Sequence, residues 1–320
     1  MNERDLLDAV RTLPRSIEPP RDLWPGIAAR LRRRARRWYW TGLPLALAAS
    51  IAALLLVRGG VPGWRVESLA GRPQVDQSPL ARGDAGTLRV GEWVETDDSS
   101  RALIAVGDIG HVEVKPATRV RLLEAEPDDH RLGLARGAIY ARVDTVPRLF
   151  YVETPAGTAI DLGCAYTLET DSLGNGRLHV VGGIVEFQTG DRFAKVPMGA
   201  LVAIRASEGP GIPYVEDAPA GLRRALESGD VPAALRAARA EDALSLWHLV
   251  QRVDAAQRGA VYDRLAELVP PPAGVTREGA VALAPDALER YWSTIHRILF
   301  RRMVLRGVRE VDPRTGRAVR

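Results

Sequence analysis

The 320-residue sequence has a single cysteine, Cys164, which excludes an internal disulfide and any zinc site built on cysteine pairs. Its five histidines, at 111, 130, 179, 248 and 296, are never four apart, so a His-x-x-x-His metal pair is absent and no metal is expected. Lysine is nearly missing: Lys115 and Lys195 are the two, which leaves 42 arginines among the 44 basic residues. The signatures of common catalytic machinery are missing too. There is no Gly-x-Ser-x-Gly elbow, no Gly-x-x-x-x-Gly-Lys phosphate loop and no His-Glu-x-x-His. Paired carboxylates occur at Asp97-Asp98 and Asp128-Asp129, but in turn-rich stretches where Asp serves local backbone hydrogen bonds. No catalytic residue and no cofactor is expected, and the chain reads as a non-enzyme.

What is present is ordinary globular material with an uneven charge. Hydrophobic residues make up 46% and charged residues 26%, values that exclude wholesale disorder and a polytopic membrane protein. The formal net charge is only +4, yet residues 1–37 carry +5 and residues 297–320 carry +6. Between the first basic segment and the rest lies an uncharged run of 20 residues, 38–57, WYWTGLPLALAASIAALLLV. A helix of that length spans about 30 Å, the hydrocarbon thickness of a bilayer. Trp38, Tyr39 and Trp40 supply the aromatic rings that settle at headgroup level. The run predicts an uncleaved single membrane span. The arginine excess before it predicts that residues 1–37 face the cytoplasm and that the bulk lies outside, in the manner of a bacterial inner-membrane protein. Arginines lying on anionic lipid account for the basic segment, and no direct nucleic-acid contact is expected.

Residues 1–37 are too few to bury a core alone. Leu6, Leu7 and Val10 recur at helical spacing before Pro14, and Ile17-Glu18-Pro19-Pro20 reads as an extended hinge. Asp22 is a candidate cap for a second short helix carrying Trp24. Such amphipathic pieces gain order by docking into a partner's groove, and Leu6, Leu7, Val10 and Trp24 are the residues a partner would bury. Residues 13–30, LPRSIEPPRDLWPGIAAR, resemble the juxtamembrane stretch of bacterial transmembrane anti-sigma factors. That resemblance implies a cytoplasmic sigma factor of the extracytoplasmic-function class as partner. Members of that family usually carry a longer cytoplasmic domain with a zinc-binding His and Cys pair, and residues 1–37 contain neither residue type.

From residue 64 to residue 204 the apolar period becomes two. Ala102/Ile104/Val106, Val112/Val114, Val120/Leu122, Leu132/Leu134 and Ile139/Ala141/Val143 alternate with their neighbours. Gly107-Asp108, Pro116, Pro127-Asp128-Asp129 and Gly137 separate these runs as turns. Gly174-Asn175-Gly176 marks a hairpin, because Asn-Gly accepts positive φ. Short strands at this spacing predict an all-β sandwich, roll or solenoid. Several pieces then fall in a recognisable order: Leu88-Arg89-Val90-Gly91-Glu92 with Thr96, Ser100 to Ile104, and Leu132 to Val143 around Arg136-Gly137. They continue with Val152-Glu153-Thr154-Pro155-Ala156-Gly157, Val180 to Phe187 around Gly182-Gly183, and Val196-Pro197-Met198-Gly199-Ala200. On these pieces residues 71–206 resemble the FecR domain of bacterial membrane-anchored regulators. Where that family usually has Gly-Thr-x-Phe, this chain has Gly163-Cys164-Ala165-Tyr166, and Cys164 is expected as compact core rather than as a reactive thiol.

After residue 207 helical periodicity returns, with apolar-faced segments predicted over 219–227, 232–240, 241–253, 255–269 and from 285 to about 304. Gly229-Asp230 breaks the first pair and Pro270-Pro271-Pro272 stiffens a later loop. The expected architecture is therefore mixed and multi-domain: residues 1–37 a short cytoplasmic anti-sigma-like segment, 38–57 a transmembrane helix, 58–207 an extracytoplasmic FecR-like β domain, and 208–320 an all-α region. The resemblance implies transcription regulation by transmembrane signalling, in which the β domain senses an envelope protein or ligand. The alternative from the same residues is a non-signalling envelope scaffold anchored by one helix.

Overall fold

The computed structural model describes residues 63–144, 147 and 149–305. The expected cytoplasmic segment and membrane span, residues 1–57, lie outside the described residues. Among the described residues no helix is long and apolar enough to cross a membrane.

Residues 63–215 form short strands: β1 (Gly63–Ala70), β2 (Gln74–Val75), β3 (Ser78–Pro79), β4 (Ala85–Arg89), β5 (Trp93–Glu95), β6 (Arg101–Val106), β7 (Gly110–Val114), β8 (Arg119–Glu126) and the long β9 (Asp129–Val143). They continue as β10 (Phe150–Thr154), β11 (Gly157–Asp161), β12 (Ala165–Thr170), β13 (Gly176–Gly182), β14 (Ile184–Thr189), β15 (Arg192–Pro197), β16 (Ala200–Arg205), β17 (Gly209–Pro210) and β18 (Tyr214–Val215). Two sheets result. One runs β4-β1-β6-β7-β9-β12-β13-β16, with β17 and β18 both against β16. The other runs β3-β2-β5-β8-β9-β10-β11-β14-β15. Every pairing is antiparallel except β9 with β10, which is parallel. The alternate inward residues of both sheets, among them Ile104, Leu122, Leu132, Ile139, Phe150, Tyr166, Leu178 and Phe187, are essentially inaccessible and join one apolar core.

The strand β9 belongs to both sheets. Residues 129–136 pair with β8, and residues 139–143 pair with β7. The buried positions Leu132 and Leu134 are even-numbered, whereas Ile139, Ala141 and Val143 are odd-numbered. The inward parity thus slips by one residue where the strand changes sheet, a requirement of the period-two pleat. Gly137, expected as a turn between two strands, is instead the bend within one. Its φ of +95° lies in the region that glycine tolerates and other residues rarely adopt. Thr118 stitches the bend, with Oγ1 accepting from Ala138 N–H at 2.9 Å. Thr96 in turn receives the Thr118 N–H on its hydroxyl at 3.0 Å.

The predicted hairpin closes as expected. β12 and β13 pair from Ala165↔Gly182 to Thr170↔Gly176, leaving Gly174-Asn175 in the turn. Thr154↔Gly157 closes β10 and β11 around Pro155-Ala156, where proline loses no ladder bond.

Six helices follow: α1 (Ala220–Ser228), α2 (Val231–Ala237), α3 (Ala243–Arg252), α4 (Ala255–Leu268), α5 (Arg277–Val281) and α6 (Pro285–Leu305). Gly229 ends α1 in the left-handed conformation, and Asp230 caps α2 by accepting from Ala233 N–H. The break read at Gly229-Asp230 is therefore a C-cap followed by an N-cap. The short helix α5, capped by Thr276, was not expected from the sequence. The residues of α3 from Ala243 to Val250 are all buried. A helix apolar on every side must be covered on every side. Here β18 lies against α3, and α4 and α6 pack on it as well. Each large apolar side chain so buried contributes about 1.5–3 kcal/mol relative to exposure. Strands and helices belong to one compact unit and share one core.

Candidate functional site

Leu6, Leu7, Val10 and Trp24, the residues expected to bind a partner, lie outside the described residues. Within the described part, the most elaborated polar region is the seam where the last strands meet α3.

At that seam β15 is the end strand of its sheet, bonded to β14 on one side. Its other edge would leave a row of unpaired N–H and C=O groups. Two side chains one turn apart on α3 take them. Lys195 N–H donates to His248 Nε2 at 3.0 Å, and Arg252 Nη2 donates to the Phe193 carbonyl. His248 Nδ1 faces the Leu244 carbonyl at 3.0 Å, so the neutral ring carries its proton on Nδ1 and accepts on Nε2. Burial drives the His248 pKa down to about 3. The Lys195 side chain reaches the other way, to Glu289 on α6 at 3.0 Å, and lies over the rings of Trp247 and Trp292. Trp247 Nε1 donates to the Leu288 carbonyl at 3.0 Å, fixing α3 against α6.

Beside this seam opens a cleft of about 300 Å³ between β15–β18 and the helices α1 and α3. Arg192, Arg205, Arg223 and Arg252 line it, with Tyr214, Leu226 and Leu249 as apolar wall. Arg252 Nη1 donates to the Pro210 carbonyl at 3.2 Å, and Arg192 Nη1 to the Glu208 carbonyl at 2.6 Å. These partners are neutral, so they position the guanidiniums without cancelling their charge. Burial first, and the neighbouring Arg192 charge second, lower the Arg252 pKa to about 10.

A second polar group is buried in the β domain. The Cys164 thiol donates to the Ile184 carbonyl, and its sulfur accepts from Leu162 N–H at 3.3 Å. Burial, reinforced by the Asp161 charge, pushes the thiol far above its ordinary range, which suppresses the thiolate. The expectation of a compact, inert Cys164 agrees with this setting. Asp161 Oδ1 accepts from Gly163 N–H at 2.7 Å, while its Oδ2 is buried with no hydrogen-bond partner among the described residues. Burial raises the Asp161 pKa to about 7. The Tyr166 hydroxyl nearby is likewise buried without a partner among the described residues.

The paired aspartates behave as turn residues. Asp97 Oδ1 accepts from Ser99 N–H and Ser100 N–H, both at 2.8 Å, and these bonds hold its pKa below the usual value. Asp129 pairs with Arg131 at 2.7 Å. His179 is half-buried beside Glu216, with which it bonds. Periodicity on one strand could not show that the β18 turn would reach over it. Among the described residues no cluster of three or more His, Cys, Asp or Glu is arranged to hold a metal ion. The arginine cleft was also missed in the sequence, since its four arginines are scattered over 60 positions and no local pattern joins them.

Residues 92–186 match the family model described as FecR protein. The match covers β5 to β13 and the first half of β14, including the crossing strand β9 and the Thr96–Thr118 stitch. Two crystal structures of a protein described as a candidate anti-sigma factor from Parabacteroides distasonis are similar, each at 16% identity and a TM-score of 0.34. The first similarity covers 39% of this chain and 60% of that chain; the second covers 45% and 73%. This chain thus spans less than two thirds of the first of those solved chains. No curated protein matches the chain.

Proposed function

We propose that this chain, whose residues 92–186 match the FecR family model, is a membrane-anchored regulator. In this reading the folded unit stands outside the cytoplasm and senses an envelope protein or ligand. A single helix over residues 38–57 carries the signal, and residues 1–37 deliver it to an extracytoplasmic-function sigma factor. The match of the FecR family to the β domain is the observation that carries the reading. The uncharged run of 20 residues and the arginine excess before it support the anchor and its orientation. The role assigned is binding and transmission, and no catalytic step is part of it.

The test is capture of the host's sigma factors by the full chain in detergent, with Trp24→Ala alongside. An aromatic anchor in a docking helix carries about 2 kcal/mol or more, so the variant should bind roughly thirtyfold more weakly. If no sigma factor is retained, or if both forms retain one equally, the transmission step fails and the anchored-scaffold reading replaces it.

A further inference from the structure

The cleft at the seam holds four arginines that have no carboxylate partner among the described residues. Arg192 opens β15, Arg205 closes β16, Arg223 sits on α1 and Arg252 ends α3, and all four line the same space. Among the described residues none of them forms an ion pair. Elsewhere in the same unit arginines are matched with acids: Arg239 with Asp242, Arg277 with Asp263, Arg302 with Asp217. The cleft departs from that habit.

The donors are also unspent. Arg252 uses Nη1 and Nη2 on backbone carbonyls, and Arg192 uses Nη1 on one. The side chains of Arg205 and Arg223 make no hydrogen bond to the described protein. Burial first, and the neighbouring Arg192 charge second, penalise the charged form of the half-buried Arg252, while Arg192, Arg205 and Arg223 are exposed. An anion entering the cleft would relieve that penalty and take up the free N–H groups. Glu208, Glu227 and Asp254 also line the space, all three exposed, and among the described residues none of their carboxylates is bonded to these arginines. The cleft therefore retains net positive charge from its four guanidiniums against three carboxylates.

Its remaining wall is apolar, with Tyr214 and Leu226 prominent. A guanidinium fork matches the two oxygens of a carboxylate, and an apolar wall favours a ligand with an apolar body over a bare ion. The volume of about 300 Å³ sits at the lower end of small-molecule pockets and fits a compact ligand. We propose that this cleft binds a small organic acid: a carboxylate held by Arg192, Arg205, Arg223 and Arg252, with its apolar body against Tyr214 and Leu226. The inference rests on the cleft alone and stands whether or not residues 1–37 bind a sigma factor. If they do, the cleft is the input site of that regulator.

The experiment is a calorimetric titration of the full chain in detergent with three probes: phenylacetate, its neutral amide phenylacetamide, and inorganic phosphate. Phenylacetate should bind saturably, and the amide should bind about tenfold or more weakly for want of the charge. Phosphate should also bind about tenfold or more weakly, for want of the apolar body. The double variant Arg205→Gln, Arg223→Gln removes two guanidiniums that support no other part of the fold. It should keep the thermal midpoint of the parent and bind phenylacetate about fivefold or more weakly. Arg252→Lys keeps a positive charge but loses the fork, and should weaken phenylacetate as well. Equal binding of acid and amide, equal binding of phosphate, undiminished binding by the folded double variant, or no saturable binding each overturns the assignment.

Discussion

His248 Nε2 accepts the backbone N–H of Lys195 at 3.0 Å, so a helix side chain occupies the position that a neighbouring strand would fill. Arg252, one turn further along α3, donates to the carbonyl of Phe193, two residues back along β15. The i, i+4 spacing on a helix and the i, i+2 spacing on a strand edge both approach 6 Å, which lets the two ladders meet. The result blunts the open edge of the second sheet and ties the helical region to the β domain. Replacing that contact tests how the two parts hold together.

The first prediction concerns acid stability. His248 titrates at about 3 when folded and near 6.5 when unfolded. Between those values the unfolded chain binds more protons, so stability falls as pH drops from 6.5 towards 3. The slope from this residue is about 1.4 kcal/mol per pH unit. His248→Gln keeps an acceptor and removes the titration. Denaturant melts of both forms from pH 7 to pH 4 should converge as pH falls, and parallel profiles would count against the buried neutral ring.

Asp161 has the opposite sign. Its folded pKa of about 7 exceeds the unfolded 3.8, so the folded state holds the extra proton in that window. Stability from this group falls as pH rises from 3.8 to about 7, then levels. Asp161→Asn stays neutral throughout and can still accept from Gly163 N–H. At pH 8 it should be more stable than the parent by about 2 kcal/mol or more, with the advantage shrinking towards pH 4. Equal thermal midpoints at pH 8 would refute this.

Gly137→Ala should damage the crossing strand. A Cβ at that position would lie 2.5 Å from the Thr118 Cα, a backbone atom that cannot swing aside. Positive φ adds strain of about 1 kcal/mol or more before the clash is counted. The expected loss is about 3 kcal/mol or greater, read from urea midpoints against Gly83→Ala. Gly83 also has positive φ, but a Cβ there meets nothing within 4 Å. A loss no larger at Gly137 than at Gly83 would mean the bend tolerates a side chain.

The anchor can be tested without the structure. The chain should stay in the membrane pellet after alkaline carbonate washing, and a variant lacking residues 38–57 should not. A reporter active only outside the cytoplasm, fused after Arg320, should give signal. Neutralising Arg32, Arg33, Arg34, Arg36 and Arg37 should weaken or scramble it. Recovery of the intact chain as a soluble protein would end the anchored reading.

Much of this protein is determined locally and was legible in the sequence. The period-two alternation exposed the strands because a pleated strand must alternate its faces. Gly174-Asn175-Gly176 announced a hairpin, and Gly229-Asp230 a helix break, because φ freedom and side-chain caps are properties of single residues. Even the change of parity between Leu134 and Ile139 was present, though Gly137 passed for a turn. Its partners, Thr118 and the strands of two different sheets, had to be in place before a glycine could be read as a bend. The tertiary structure alone decided which strand would lie at an edge and which helix would cover it. It also decided that Arg192, Arg205, Arg223 and Arg252 would share one cleft. Such pairings join residues dozens of positions apart, and their electrostatics depend on burial that no local pattern encodes.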